Sequence, residues 1–185
     1  MVDIIWWVIL GVIAVVALIL AYFYNRIIVL ANRISNAWSQ IDVQLKKRTD
    51  LVPNLVESVK GYMKHEKSVF EMVTKARENM MKAGTVQEKA KANNMMTNAL
   101  KTIFALAENY PILKANENFL MLQEELSGIE NKIAYARQFY NDSVLEFNNM
   151  VTTVPGVWFA NIMGKQSKPY FEVTESQRKP VKVSF

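Results

Sequence analysis

Residues 4–24, IIWWVILGVIAVVALILAYFY, make an apolar run without one charged side chain. No other stretch limits the fold as strongly. A helix rises about 1.5 Å per residue, so roughly 20 residues cross the ~30 Å hydrocarbon core of a bilayer. The core helix of a globular domain keeps a polar stripe toward water, and this run has none on any face. Trp6 and Trp7 at one end, with Tyr22 and Tyr24 at the other, fit the two interfacial aromatic belts. Residues 1–25, with the apolar run starting at Ile4, are therefore expected to be a retained transmembrane anchor. A cleaved signal peptide fits poorly. Met1-Val2-Asp3 brings no Lys or Arg, the run is too long, and Ala21-Tyr22-Phe23-Tyr24 offers no small-x-small cleavage site.

Basic residues lie on one side of this run. Arg26 and Arg33 follow it, then Lys46, Lys47 and Arg48. The positive-inside rule predicts a cytoplasmic domain after the anchor, with the N-terminus outside. The remaining residues suffice for one domain with a real core. The absence of cysteine excludes disulfides and thiolate metal sites. The net charge of +5 is spread among acidic residues without a long basic run. That distribution reads as a solvated helical surface with mild attraction to anionic lipid, and nucleic acid is not expected as a partner.

After the anchor, Ile27, Leu30, Ile34, Trp38, Ile41 and Leu45 recur in steps of three and four, which marks one helix face. No Gly or Pro intervenes, so the membrane helix is predicted to continue outward as one rod to about Asp50. Pro53 lacks an N–H and disfavours helix at Val52, so a break or kink is expected there. Leu55, Val59, Met63, Val69, Met72 and Ala76 resume the pattern, with Gly61 a weak spot within it. Ala83-Gly84-Thr85 is a turn, with Gly84 placed as a helix C-cap. Thr85 with Glu88 spells a capping box for a helix over 86–107. Glu108-Asn109-Tyr110-Pro111 interrupts, and Asn116 is a good N-cap. A last long helix is expected over 113–149, where Phe119, Leu122, Leu126, Ile129, Ile133, Ala136, Tyr140, Val144, Phe147 and Val151 keep the helical step. Its repeat near 3.5 residues implies coiled-coil-like packing, and short turns between long helices imply antiparallel neighbours. Val154-Pro155-Gly156 ends it. Residues 157–163, with Trp158, Phe159, Ile162 and Met163, either cap the bundle or touch the bilayer, and the cap is preferred. The fold expected is all-α: a transmembrane helix continuing into a long antiparallel helical bundle over 26–163, then a flexible tail over 164–185.

The chain resembles the LemA family of bacterial membrane proteins along nearly its whole length. The matching stretches include Ala37-Trp38-Ser39-Gln40-Ile41-Asp42-Val43-Gln44-Leu45-Lys46 and Asp50-Leu51-Val52-Pro53-Asn54-Leu55. The second half adds Glu108-Asn109-Tyr110-Pro111, Leu122-Gln123-Glu124-Glu125-Leu126, Glu130-Asn131 and Ala136-Arg137 with Tyr140-Asn141. The departures are Ile112, where an acidic residue is common, Val154, where an aromatic precedes the proline, and Lys165, where Phe follows the glycine. The resemblance implies a single-pass protein of the bacterial cell membrane with a helical-bundle domain, and it implies no defined activity. Some relatives serve in building magnetosome membranes, which points to membrane organisation by analogy only.

No catalytic constellation stands out. His65 is the one histidine and no Glu-x-x-His pair occurs, so it reads as a helix cap or surface residue rather than a metal ligand. No Gly-x-Ser-x-Gly and no phosphate-cradling glycine loop is present. No cofactor is expected and no enzyme activity. Two polar groups carry weight. Glu130, Arg137 and Asn141 share one face of the last helix, with Asn131 beside Glu130. Asp42, Gln44 and Arg48 form a comparable group on the first helix. They read first as polar layers that fix helix register, and second as a surface for a partner. The function expected is a membrane-anchored scaffold or adaptor presenting its bundle to protein partners, with homo-oligomerisation through the heptad face open. The rival is a lipid-binding or membrane-organising protein working at the bilayer surface.

Overall fold

The computed structural model of the protein describes residues 2–172, so residues 173–185 of the expected tail lie outside the described residues. Six helices and no strand occur among the described residues: α1 (Val2–Lys60), α2 (Lys67–Lys82), α3 (Val86–Ala107), α4 (Pro111–Lys114), α5 (Glu117–Thr152) and α6 (Gly156–Ile162). The chain is all-α, as its periodicity requires.

α1 differs from expectation at its proline. It runs unbroken through Pro53 and stops at Gly61, where the N–H groups of Tyr62 and Met63 both bond the Val59 carbonyl at 3.0 Å. Pro53 leaves the Thr49 carbonyl without its helical donor. Arg77 Nε donates to that same oxygen at 3.3 Å, so the helix loses a bond without leaving a bare acceptor. Val52 and Leu55, on either side of the proline, are fully buried and hold the turn in place.

The chain packs as two compact units, and both long helices contribute to each. The first takes α1 up to Trp38 together with residues 139–168. Here α1 and α5 run antiparallel: Trp38 meets Tyr140, with ring centroids 5.6 Å apart, while Arg26 and Arg33, further back along α1, both reach Glu146. Ile27, Leu30, Ile34 and Ala37 of α1 are buried, as are Tyr140, Val144, Phe147 and Val151 of α5. By contrast, Ile4, Trp6, Trp7, Tyr22 and Tyr24 are all exposed, and the 18-residue apolar window near the N-terminus has no buried share. By length and composition it can cross a membrane.

α6 follows a cis Val154–Pro155 bond and is held on two sides. A Cβ on Gly156 would stand 2.0 Å from the Met150 carbonyl oxygen, so only glycine fits where α6 leaves α5. Phe159 stacks flat on Phe23, centroids 4.6 Å apart. The helix ends on Gly164 at φ 62°, with Gly164 N–H on the Asn161 carbonyl and Lys165 N–H on that of Ala160. This is the paired closure that a left-handed glycine allows. Beyond it, the Asn148 side chain both donates to and accepts from the Lys168 backbone, at 2.9 and 2.7 Å.

The second unit takes α1 from Ser39, α2, α3, α4 and α5 up to Gln138. Its core runs from Val52, Leu55 and Val59 through Val73 and Ala76 to Met96, Leu100, Ile103, Phe119 and Leu126. α2 and α3 form an antiparallel pair. The capping box at the start of α3 forms as spelled, with Thr85 and Glu88 each bonding the other's backbone N–H. Gly84 does not take a left-handed conformation; its N–H donates instead to Glu88 Oε2 at 2.9 Å. Asn116 caps α5 by accepting from Phe119 N–H at 3.0 Å. Phe171, in the stretch expected to be tail, is fully buried.

Candidate functional site

Among the described residues, the second unit holds one charged side chain deep in its interior. Arg48, on α1, is 3% exposed. Its Nη1 donates to Asn93 Oδ1 at 2.9 Å and Thr97 Oγ1 at 3.1 Å, and ion-pairs with Glu130 Oε2 at 2.6 Å. Thr97 passes its own hydroxyl proton toward Glu130 Oε1 at 3.3 Å. One guanidinium nitrogen thus ties α1, α3 and α5 together. Burial pushes the Arg48 pKa down, and the Glu130 carboxylate pulls it back. An Arg keeps its charge under such opposing pressures, so the layer is ionic.

α3 builds its share simply. Asn93 and Thr97 stand four apart, on a helix face whose other buried members include Met96 and Leu100. Both were missed as site residues; the signal was a polar pair at i, i+4 inside an apolar stripe. One turn before Arg48, Gln44 is half-buried. Its Oε1 and Arg48 Nε are both buried without a hydrogen-bond partner. They are an acceptor and a donor one helical turn apart.

The other expected residues distribute differently. Asp42 ion-pairs with Lys89 of α3 and borders a shallow groove of about 270 Å3 with Lys46, Asp50 and Arg77. Charges of both signs alternate there. Asn131 is exposed beside Glu130. Arg137 is half-buried and makes no ion pair among the described residues, so the layer does not include it. Asn141 belongs to the first unit. His65 is exposed between α1 and α2, and among the described residues no three His, Asp or Glu side chains gather as a metal site.

The first unit has its own charge cluster. Glu146 of α5 takes Arg26 through one oxygen and Arg33 through the other, the latter at 2.8 Å. Arg33 also lies over the Phe139 ring, 5.2 Å from its centroid. Burial raises the Tyr140 hydroxyl pKa nearby on α5. All three charged side chains keep more than a third of their surface in water. In the second unit, Tyr110 donates to Glu66 Oε1 at 3.2 Å, and its pKa is raised by desolvation and by that carboxylate.

Within this layer the Arg48 guanidinium is shut off from water, while Glu130 is 41% exposed. Asn93 and Thr97 are buried with the guanidinium, and the acceptors on Nη1 are the protein's own. Such a set ties three helices together, and an incoming anion would first have to displace Glu130.

A family model described as LemA family matches residues 37–185. The chain is similar to the magnetosome protein MamQ 1 of Paramagnetospirillum magneticum, 24% identical over 94% of this chain and 73% of that protein. It is similar to MamQ of Magnetospirillum gryphiswaldense, 22% identical over 85% of this chain and 68% of the relative. Protein LemA of Metamycoplasma hominis is 27% identical over 83% and 70% respectively.

Proposed function

This chain belongs to the LemA family, and from that premise we propose that it is a membrane-anchored helical scaffold that presents its α-helical body to protein partners. The observation that carries the reading is the unbroken course of α1, from a fully unburied apolar window into a helix whose later turns are buried by α-helical neighbours. One element is thus both anchor and structural member.

The Arg48 layer supports the same reading. Its guanidinium is taken up by the protein's own Asn93, Thr97 and Glu130, which supports a role in helix register over an open binding site. The magnetosome naming of two relatives supports a place at membranes, without carrying their role over. The body is proposed to face the cytoplasm, on the basic residues that follow the apolar run. Crosslinking the full chain in cells, followed by mass spectrometry, tests the scaffold. Recurrent crosslinks from the body to particular proteins are expected, and crosslinks to lipid alone would overturn it. A cytoplasm-dependent reporter fused after Phe185 is expected to be active.

A further inference from the structure

We propose that α6 lies in the membrane interface, seating Trp158 and Ile162 at the headgroup–acyl boundary of the leaflet where α1 emerges. The inference rests on reading residues 4–24 as the membrane span. Given that, α6 has a defined depth. Phe159 stacks on Phe23, one residue from the end of the apolar run and between Tyr22 and Tyr24 of the expected aromatic belt. A mainly apolar groove of about 370 Å3 continues the contact downward between Leu20, Ala21 and Tyr24 of α1 and Phe159, Ile162 and Met163, with Asn25 at its upper end. Leu20 stands about 4.5 Å deeper than Phe23 along the helix axis. The groove therefore opens at the level where hydrocarbon begins.

The outward face of α6 is composed for that level. Trp158 is 60% exposed and Ile162 83%, and their spacing of four puts them on one side of the helix. Trp belongs where one part of the ring is apolar and its N–H is wet. Gly156 and Ala160, on the other side, are buried. Charge agrees with the placement. No acidic residue occurs between Glu146 and Glu172, whereas Lys165 and Lys168 follow α6 directly, a composition suited to anionic lipid. The occupant of this face is thus a lipid surface.

The natural absence of cysteine makes the test direct. Trp158→Cys, Ile162→Cys, Val12→Cys and Glu124→Cys, made singly in the full chain, are spin-labelled and reconstituted in vesicles of phosphatidylethanolamine and phosphatidylglycerol. Collision rates with oxygen and with a water-soluble nickel chelate are then measured. Labels at 158 and 162 are expected to meet the chelate roughly tenfold less often than the label at 124, while remaining open to oxygen, as for side chains just below the headgroups. Chelate access at 158 and 162 equal to that at 124, with Val12→Cys still shielded, would overturn the interfacial helix and leave the anchor standing. Shielding from both reagents would mean that protein covers the face, and would also overturn it. Chelate access at Val12→Cys would remove the anchor and the inference together.

Discussion

Two Arg–Glu clasps join the same pair of helices, α1 and α5, one in each packing unit, and they are built on opposite terms. In the second unit Arg48 is 3% exposed and has Asn93 and Thr97 as neutral partners besides Glu130. In the first, Glu146 takes two arginines, Arg26 and Arg33, which are 40% and 45% exposed. A buried charge is costly to strand, so breaking the inner clasp is expected to cost more than breaking the outer one. A wet one is replaceable by water and contributes little. The second unit's interior thus holds a buried ionic layer, whereas the first unit's charges are wet and its buried contacts are mainly apolar.

The contrast is broken most directly at Glu130. Glu130→Ala leaves the Arg48 charge buried without its counter-ion and is expected to cost on the order of 3 kcal/mol, the low end for such a break because Glu130 is 41% exposed. Thermal unfolding of the full chain in detergent, followed by helical circular dichroism, reads it; a loss below half that size would show that Asn93 and Thr97 suffice.

In the first unit the strictest constraint is steric rather than ionic. Gly156→Ala places a Cβ against the Met150 carbonyl and is expected to cost about 1–3 kcal/mol, the range for overpacking. Release of α6 shows as faster proteolysis near residue 156; an unchanged cleavage pattern would mean the backbone gives way easily.

Arg77→Ala sharpens the picture of the second unit. It leaves the Thr49 carbonyl facing Pro53 without a donor, at a cost of about 1 kcal/mol. Hydrogen exchange is expected to speed up selectively over residues 50–57, and uniform acceleration would argue against this local account.

The outer clasp supplies the smaller counterpart. Glu146→Ala is expected to lower stability by no more than ~1 kcal/mol, and added salt should shrink the difference further. A loss equal to that of Glu130→Ala would erase the distinction between the clasps.

The smallest effect concerns Glu88, whose carboxyl is held below its ordinary 4.5 by the N–H groups of Thr85 and Gly84. A depressed folded-state pKa contributes stability above the unfolded value, and that stability is lost as pH falls through the folded one. The α3 N-terminus should therefore loosen on acidification below 4.5, and Glu88→Gln should abolish this step in amide exchange.

Much of this was legible in the residues. The unburied apolar helix, the capping box at Thr85 and the cap at Asn116 are local: each depends on side chains within a few positions of the backbone they serve. Arg48 and Glu130 could be picked out as polar residues on apolar-patterned helices. Their pairing could not, and Arg137 was grouped with them on spacing alone. Asn93 and Thr97 looked like ordinary polar positions because their partner lies 45 and 49 residues away. The proline misled for the same reason, since the donor that lets α1 pass Pro53 comes from Arg77 on another helix.

Helix, turn and bilayer-spanning length are written in hydrophobic period and local chemistry, so the order of residues alone determined an all-α chain with an apolar first helix. Which charge is buried, which is wet, and where α6 rests depend on side chains distant in sequence sharing one dielectric environment. Burial sets the energy of each such pair, and burial exists only once the helices have packed, so the tertiary structure alone decided them.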